Sequence, residues 1–387
     1  KTLTTGTDGV FNISGLRVGG PYSISVTSDQ GKAEVEGVYL TLGEMSNVPV
    51  ALSSSSANLE EIVVTGSAIS GAIKMGMATT IDEERRKGIP ATSRDLHDFV
   101  KVDPLVTIDP TNSNAISIAG SNNRFNSVTV DGIKQNDDFG LNNNGFPTQR
   151  SPISLDAIEQ LAVNASPFSA EYGGFTGGNI NIVTKSGTND FHGTAFFTYR
   201  NDSLTGNKSK ENDITLDFNE KIWGGTLGGP IVEDKLFFFV GFEKFNSSTP
   251  NQFGPAGTSF ANEVSGVTQA ELDRATQIAN DVYGFDAGSV ADLDSLPVKD
   301  RKIFAKLDWN INEDHRAAFT YQNTEGNQIN PQNQGTSFGG SLSLPSNWYD
   351  KNDKMKSYSF QLFSDWSDSF STEVKIGRKE VETLQEP

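Results

Sequence analysis

Side chains able to do chemistry are few in this sequence and lie far apart. The three histidines are His97, His192 and His315, and none belongs to a His-Glu-x-x-His zinc motif. With no cysteine, the chain has no thiol nucleophile and no disulfide framework. Residues 224–229 read GGTLGG but lack the Lys-Ser/Thr ending of a phosphate loop, so we interpret them as part of a strand whose backbone packs closely against the domain at 67–186. We therefore expect no enzymatic activity, no metal site and no cofactor.

The composition favours a β-rich protein. The 387 residues are enough for two or three domains, and they include 25 Phe and 38 Gly. Acidic residues outnumber basic ones by 49 to 31, for a net charge of -18, so no nucleic-acid partner is expected. No run of about 18 apolar residues occurs, which excludes a transmembrane helix but leaves membrane-spanning β-strands open.

The N-terminal part alternates short strands and tight turns. Residues 1–52 are predicted to be part of a small β-sandwich, with strands at 10–13 and 22–26. A serine-rich linker at 53–58 leads to LEEIVVTG at 59–66. This β-favouring stretch is either a tethered strand offered to a partner or the last strand of the sandwich.

Residues 67–186 mix helix and strand signals. Ser93 is predicted to cap a short helix that carries Leu96 and Phe99 and stops at Pro104. A helical turn is expected at 155–159, and alternating strands are expected at 116–118, 128–130 and 179–183. The pattern indicates an α/β domain.

From residue 191 onward, segments of about ten residues alternate in hydrophobicity. Ile303, Leu307 and Trp309, for example, lie on the face opposite Lys306 and Asp308. Strands are predicted at 191–200, 218–231, 235–245, 302–311, 316–323, 355–366 and 370–380. Short turns alternate with long connections, which is typical of outer-membrane barrels, whereas a soluble sandwich or propeller does not need this regularity.

Two further features of this half follow from its pattern. Aromatic residues near strand ends are expected to lie at the membrane interfaces, namely Tyr199, Trp223, Phe245 and Tyr321. The longest loop should contain a helix, because Leu272, Ala275, Ile278 and Val282 recur at helical spacing.

Several motifs, taken in order, resemble those of TonB-dependent outer-membrane receptors, most of all the Oar-like branch. LEEIVVTG resembles a TonB box, and TKSGTNDFHG at 184–193 resembles the crossing from plug to barrel. Four further stretches resemble parts of the plug domain of these receptors: ISIAG at 116–120, VTVDG at 128–132, ISLDAIEQ at 153–160 and EYGGFTGG at 171–178. Residues 1–52 resemble the later half of a carboxypeptidase-regulatory-like domain.

The resemblance implies a mainly β fold with four parts. These are a partial Ig/transthyretin-like sandwich at 1–52, a linker and TonB box at 53–66, an α/β plug domain at 67–186, and about seven strands of a 22-stranded transmembrane β-barrel at 187–387. Because a closed barrel needs the other strands, we expect a fragment that lacks most of the barrel. The implied location is the bacterial outer membrane, in contact with its lipids, with residues 1–66 and the plug base facing the periplasm.

The resemblance also implies uptake driven by the proton gradient. The partner would be TonB with its inner-membrane ExbB/ExbD motor, and it would grip the box by strand addition. The TonB-binding residues would be Glu60, Glu61, Ile62, Val63, Val64 and Thr65. The substrate would be too large or too scarce for porins: a peptide or protein, a glycan or a siderophore. The alternative is a non-transporting adhesion or surface-binding protein, which needs no TonB box.

Two groups of plug residues are candidates for function. A polar loop is expected to face the external cavity and touch substrate, or else to be a solvated loop; its residues are Asn136, Asp137, Asp138, Asn142 and Asn143. Arg124, Asp156 and Glu159 are expected to hold the plug against the barrel wall, because buried charges there need partners.

Overall fold

The structure is a computed structural model. It describes residues 2–13, 15–29, 31–42, 46–52, 76–110, 112–167, 173–206, 208–209, 212–213, 218–258, 260–289, 295–337, 340–367 and 370–386. Within these ranges, no helix is both long and apolar enough to cross a membrane.

The N-terminal part forms one antiparallel pair of strands, which we call the N-terminal hairpin. Its strands are β1 (Gly19–Ser28) and β2 (Gly31–Leu40). The strand predicted at 22–26 is therefore confirmed. The strand predicted at 10–13 is wrong: none of the described residues pairs with it, and β-propensity alone does not hold a strand.

The next part is a small α/β domain. Its elements are β3 (Gly76–Ile81), α1 (Glu83–Lys87), α2 (Leu96–Val100), β4 (Val106–Asp109), β5 (Ala115–Ile118), β6 (Ser127–Val130), β7 (Ile133–Lys134), β8 (Ile158–Pro167) and β9 (Asn179–Thr184). Five strands form a sheet in the order β3-β8-β9-β6-β7, in which only β6 and β9 run parallel. Single 3-10 turns lie at Asn123–Phe125 and Leu155–Ala157.

This domain has a continuous apolar core. Ile81, Leu96, Leu161 and Ile180 are all essentially inaccessible to solvent. Helix α2 forms as predicted, but its N-cap is Asp95 and not Ser93. The difference arises because the Ser93 amide and hydroxyl both donate to the Asp98 carboxylate in the first turn of the helix.

The remaining elements are mostly long strands. They are β10 (His192–Asn201), β11 (Lys208–Ser209), β12 (Asn212–Asp213), β13 (Asn219–Val232), β14 (Leu236–Pro250), β15 (Phe253–Ala256), β16 (Asn262–Thr268), α3 (Gln269–Tyr283), β17 (Ser295–Asn310), β18 (His315–Asn330), β19 (Tyr349–Ser367) and β20 (Phe370–Glu386). One antiparallel sheet joins seven of them in the order β10-β13-β14-β17-β18-β19-β20. All seven predicted strands are thus confirmed. Several extend past their predicted ends, because ladder pairing continues beyond the apolar segment.

The two faces of this sheet differ as the alternation predicted. Lys306 is buried against the α/β domain and Asp308 is buried beside Arg17, whereas Leu307 and Trp309 are exposed on the opposite face. A wall that is apolar outside and polar inside is the arrangement of a membrane barrel. Phe245 is an exception to the predicted aromatic belt: it is buried on the inner face, under the Arg150 guanidinium.

Helix α3 also forms as predicted, within the longest connection. Thr268 caps it in a capping box with Glu271, and Leu272 is its buried residue. The glycines of β13 pack closely, but the nearest atoms belong to neighbouring strands of the wall and not to the α/β domain, so the predicted packing partner of GGTLGG is wrong. A Cβ on Gly225 would lie 2.6 Å from the Thr194 carbonyl oxygen.

Candidate functional site

The boundary between the α/β domain and the inner face of the sheet is built from buried charges. One group surrounds Asp131, in the turn between β6 and β7. The Asp131 carboxylate accepts hydrogen bonds from the Thr184 amide at 3.0 Å and the Thr184 hydroxyl at 2.6 Å. Lys306 of β17 donates to the same hydroxyl at 3.0 Å, and its Nζ lies 3.5 Å from Asp131. This turn is therefore fastened to the wall.

A second group, which we call the Glu243 cluster, lies around Glu243 of β14, whose side chain is fully buried. Lys302 donates to the Glu243 carboxylate at 2.9 Å, and Ser154 of the α/β domain donates to its other oxygen at 2.8 Å. The Arg150 guanidinium lies 3.6 Å from Glu243 and 3.4 Å from Asp95. One wall carboxylate thus binds the connection that carries Arg150 and Ser154, and through Arg150 it is linked to Asp95 at the start of α2.

The surroundings of Asp95, at one end of this cluster, favour the ionised form of its carboxylate. Burial alone would raise the pKa of Asp95, but the hydrogen bond from His97 and the charge of Arg150 outweigh it, so this pKa lies well below its usual range. Burial alone would lower the pKa of the His97 imidazole. The hydrogen bond to Asp95 and the negative charge of Asp95 outweigh this effect, so the pKa of His97 lies above its ordinary value. The Asp95 carboxylate stays charged and fixes Arg150 in place.

The stability of the α/β domain should fall modestly as pH rises from neutral. Because the folded-state pKa of His97 is raised, its contribution is complete below the ordinary value of 6.5 and is lost as pH rises through the folded-state pKa. Urea unfolding of the domain at pH 6 and pH 8.5 measures this difference, and it should shrink in a His97→Gln variant. An unchanged difference in that variant would assign the pH dependence to other groups.

The predicted polar loop lies between the α/β domain and strands β19 and β20. Asn142 donates to Asp353 at 3.4 Å and accepts from Lys351 at 2.6 Å. Asp138 is exposed and forms an ion pair with Lys379 at 2.6 Å. The loop is thus in contact with the wall at these two residues, and Lys379 also donates to the Asn136 backbone carbonyl at 2.8 Å.

Asn136, Asp137 and Asn143 make their remaining contacts within the α/β domain. Asn136 is buried and bridges the Val128 amide and the Asn126 carbonyl, both at 2.9 Å. The Asp137 carboxylate accepts from backbone amides of its own loop, and the Asn143 carbonyl accepts from Asn123. Contact of these five residues with a substrate stays a prediction.

The three residues expected at the wall make different contacts. Arg124 donates to the Gly140 carbonyl at 3.0 Å, inside the α/β domain. Asp156 pairs with Arg94, whose guanidinium lies 3.6 Å from the centroid of the Phe196 ring on β10. Asp156 thus reaches the wall through Arg94. Burial and the nearby Glu83 raise the pKa of Glu159, which lies in β8 close to Gly19 of the N-terminal hairpin.

Sequence reasoning did not single out the charges that form the two clusters. It placed Lys306 on the polar face of its strand, but attached no role to Lys302, Glu243, Arg150 or Asp131. The available signal was a charged residue on the inward-facing side of a barrel strand. Such a charge is buried and therefore needs a partner on the domain inside the barrel. The predicted TonB box, residues 60–65, lies outside the described residues.

The N-terminal hairpin and the loop before it contact both the α/β domain and the wall. Arg17 forms an ion pair at 3.0 Å with Asp308, whose side chain is 1% exposed. Arg316 of β18 donates to the Gly15 carbonyl at 3.1 Å. Gln160 of β8 bonds the Leu40 carbonyl and the Leu42 amide, each at 2.8 Å.

One serine falls in a sequence pattern of catalytic interest. Residues 335–339 read GTSFG, which matches the Gly-x-Ser-x-Gly elbow of hydrolases. That elbow requires a strand leading directly into a helix. Ser337 instead lies in the connection between two antiparallel strands, β18 and β19. The structural context of the elbow is not met.

The architecture and the sequence point to one kind of protein. Residues 75–179 match the family described as TonB-dependent Receptor Plug Domain, and residues 183–287 match the family described as Outer membrane beta barrel domain. The chain carries the plug and part of the barrel of a TonB-dependent receptor. It is homologous to the TonB-dependent transporter Oar of Myxococcus xanthus, with 30% identity over 244 residues. That match covers 57% of this chain and 21% of Oar.

Solved receptors share this fold. The siderophore receptor PirA of Acinetobacter baumannii aligns with a TM-score of 0.53 and 18% identity over 79% of this chain and 40% of PirA. The R480A mutant of the ferric enterobactin receptor PfeA of Pseudomonas aeruginosa, in complex with enterobactin, aligns with a TM-score of 0.54 and 18% identity, over 79% of this chain and 41% of PfeA. The α/β domain is thus the plug, the seven-stranded sheet is barrel wall, and the receptor lies in the bacterial outer membrane.

Proposed function

We propose that this receptor takes up a large or scarce substrate across the outer membrane, using energy that TonB delivers from the proton-motive force. The observation that supports this most directly is that ion pairs and hydrogen bonds join plug and barrel, beside an apolar contact limited to Phe239 and Phe304 of the wall among the residues of the plug core. The ion pairs and hydrogen bonds lie around Asp131 and Glu243. Water can solvate such groups when they separate, whereas a continuous apolar interface would resist separation over its whole area.

TonB coupling is assigned to residues 60–65. Ile62, Val63, Val64 and Thr65 are β-branched, so they favour the extended state that strand addition requires. Glu60 and Glu61 precede them and complete the proposed contact. The motor would be ExbB/ExbD in the inner membrane. Residues 1–66 and the plug base then face the periplasm, and residues 1–52 act as an accessory domain of the carboxypeptidase-regulatory type.

The substrate class is argued from the loop and from the relatives. PirA is named a siderophore receptor, PfeA holds enterobactin, and Oar is named a transporter. A siderophore, a peptide or protein, and a glycan are therefore the candidates. The exposed Asp138 and Asn143 side chains are the plug positions we propose to meet it first.

The first test is binding of a peptide of residues 53–70 to the purified C-terminal domain of TonB. A Val63→Pro peptide should lose binding, because proline removes a ladder hydrogen bond. A Ser55→Pro peptide is the matched control and should bind like the parent, because it places the same residue in the linker. Binding by all three would exclude strand addition, and binding by none would favour the adhesion alternative.

A further inference from the structure

The N-terminal hairpin, together with the loop before it, bridges the plug and the barrel wall. On the plug side, Gln160 of β8 bonds the Leu40 carbonyl and the Leu42 amide, each at 2.8 Å. On the wall side, Arg17 forms its ion pair with Asp308 of β17 at 3.0 Å. The proposed uptake assigns no role to this bridge, although it ties one strand of the plug to the barrel.

The wall attachment lies at the rim of the barrel that carries the short turns. Asp308 is close to the end of β17, and Arg316, which donates to the Gly15 carbonyl at 3.1 Å, is close to the start of β18. Phe237 of β14 is paired with Asp308, and the Arg17 guanidinium lies 6.0 Å from the centroid of the Phe237 ring. Short turns face the periplasm in barrels of this class, so the bridge joins plug and wall from the periplasmic side.

Asp308 makes release of the bridge unfavourable. Its side chain is 1% exposed on the inner face of the wall, where an unpaired carboxylate is strongly disfavoured. Within the part of the chain that the structure describes, Arg17 is its one ion-pair partner. The guanidinium of Arg316 lies instead over the Phe363 ring, 4.2 Å from its centroid. The wall thus carries a buried charge that loses its ion pair when the N-terminal loop leaves.

Strand β8 is the plug element on which the bridge acts. Gln160 binds the end of β2, and the next residue, Leu161, is paired with Ile81 of β3. The chain is therefore attached to the same strand before and after residues 43–75, by two side-chain hydrogen bonds on one side and by a strand ladder on the other. A pull on the proposed TonB-binding residues 60–65 loads both attachments, and the one with fewer bonds should yield first.

We propose that the N-terminal hairpin and the loop before it form a latch, which holds the plug in the barrel at rest and must leave the wall before the plug moves. Its contacts are polar, so water can solvate Arg17 and the freed backbone groups, and release is reversible. The holding action does not depend on TonB. Release of the latch by TonB rests on the proposed function of residues 60–65. An accessory domain without this role would dock and leave the plug unrestrained.

The test measures plug movement in outer membranes from cells that lack TonB. A Ser151→Cys substitution introduces the single thiol of the receptor, since the chain has no cysteine. Ser151 is fully buried and its amide donates to Asp95 of the Glu243 cluster, so the thiol should react with a maleimide only when the plug shifts against the wall. Arg17→Glu places a second carboxylate beside Asp308 and should raise the labelling rate about tenfold. Hydrogen exchange of the β1 and β2 amides in the purified receptor measures undocking of the latch.

Two further variants separate the latch from general disruption. Lys32→Glu reverses a charge on the exposed face of β2, away from the wall contact, and should label like the wild type. The charge swap Arg17→Glu/Asp308→Arg restores an attractive pair and should return the labelling rate toward that of the wild type. Heat-dependent gel mobility checks that each barrel is folded. If the swap misfolds, Arg17→Gln, which removes the attraction without adding repulsion, should give an intermediate rate.

Three results would overturn the proposal. Faster hydrogen exchange in Arg17→Glu without faster labelling would make the hairpin a passive appendage. Unchanged hydrogen exchange in Arg17→Glu would show that the ion pair does not hold the hairpin. Equal labelling in Arg17→Glu and in Lys32→Glu would show that charge reversal anywhere on this unit has the same effect. Failure of the 53–70 peptide to bind TonB would reject the proposed coupling and leave these results unaffected, so the two failures are distinguishable.

Discussion

Replacing Glu243 with alanine is expected to loosen the plug within the barrel. The substitution leaves Lys302 and Arg150 buried without their shared carboxylate, and it also removes the acceptor for the Ser154 hydroxyl. Breaking a buried ion pair from one side costs about 3–5 kcal/mol. We expect the lower end, because Asp300 lies 3.3 Å from Lys302 and retains part of the compensation.

A single introduced cysteine measures this loosening, because the chain has none of its own. Ala157 lies at the plug–barrel boundary and is fully buried, so an Ala157→Cys thiol should react with a maleimide only when the plug moves. In outer membranes, Glu243→Ala should raise the labelling rate about 100-fold. Glu243→Gln should raise it less, because the amide keeps an acceptor for Lys302.

Glu233→Ala is the control for this experiment. Glu233 is exposed in the turn between β13 and β14, so its loss removes the same charge from the same hairpin without touching the plug. Equal labelling rates in Glu243→Ala and Glu233→Ala would show that the Glu243 cluster does not hold the plug. Antibiotic sensitivity of the cells provides an independent readout of the same leak.

The barrel wall was predictable from sequence because its rule is local. Alternation with period 2 assigns each residue to a face, so the opposite placement of Leu307 and Lys306 follows from counting. Strand number and order followed in the same way, since neighbours in the chain are neighbours in an antiparallel sheet. Phe245 shows the limit of this prediction. Its aromatic side chain near a strand end indicated the membrane interface, but it lies on the inner face of the strand, under the Arg150 guanidinium.

The contacts of the site were not predictable, because they join distant parts of the chain. Ser154 and Glu243 are 89 residues apart, and no local pattern selects one carboxylate among 49 as the partner of Arg150. Asn136 illustrates the same point on the plug. Its neighbours are polar, which favours an exposed loop, yet its amide replaces missing backbone partners and is buried.

Replacing Arg17 with alanine is expected to release the N-terminal hairpin from the barrel wall. Asp308 faces the inside of the wall and is almost fully buried, so without Arg17 its charge has lost its 3.0 Å partner. Arg17 is itself partly exposed, which reduces the expected cost to about 1–3 kcal/mol. Hydrogen exchange of the β1 and β2 amides should therefore speed up, while exchange in the plug core stays unchanged.

A double-substitution cycle separates this ion pair from general disruption. Asp308→Ala alone should also speed exchange in the hairpin, and Arg17→Ala/Asp308→Ala should add less than the sum, because the second substitution removes the uncompensated charge left by the first. Lys32→Ala, on the exposed face of β2, is the control and should leave exchange as in the wild type. Full additivity would mean that the two residues act independently and that Gln160, through its bonds to Leu40 and Leu42, holds the hairpin instead.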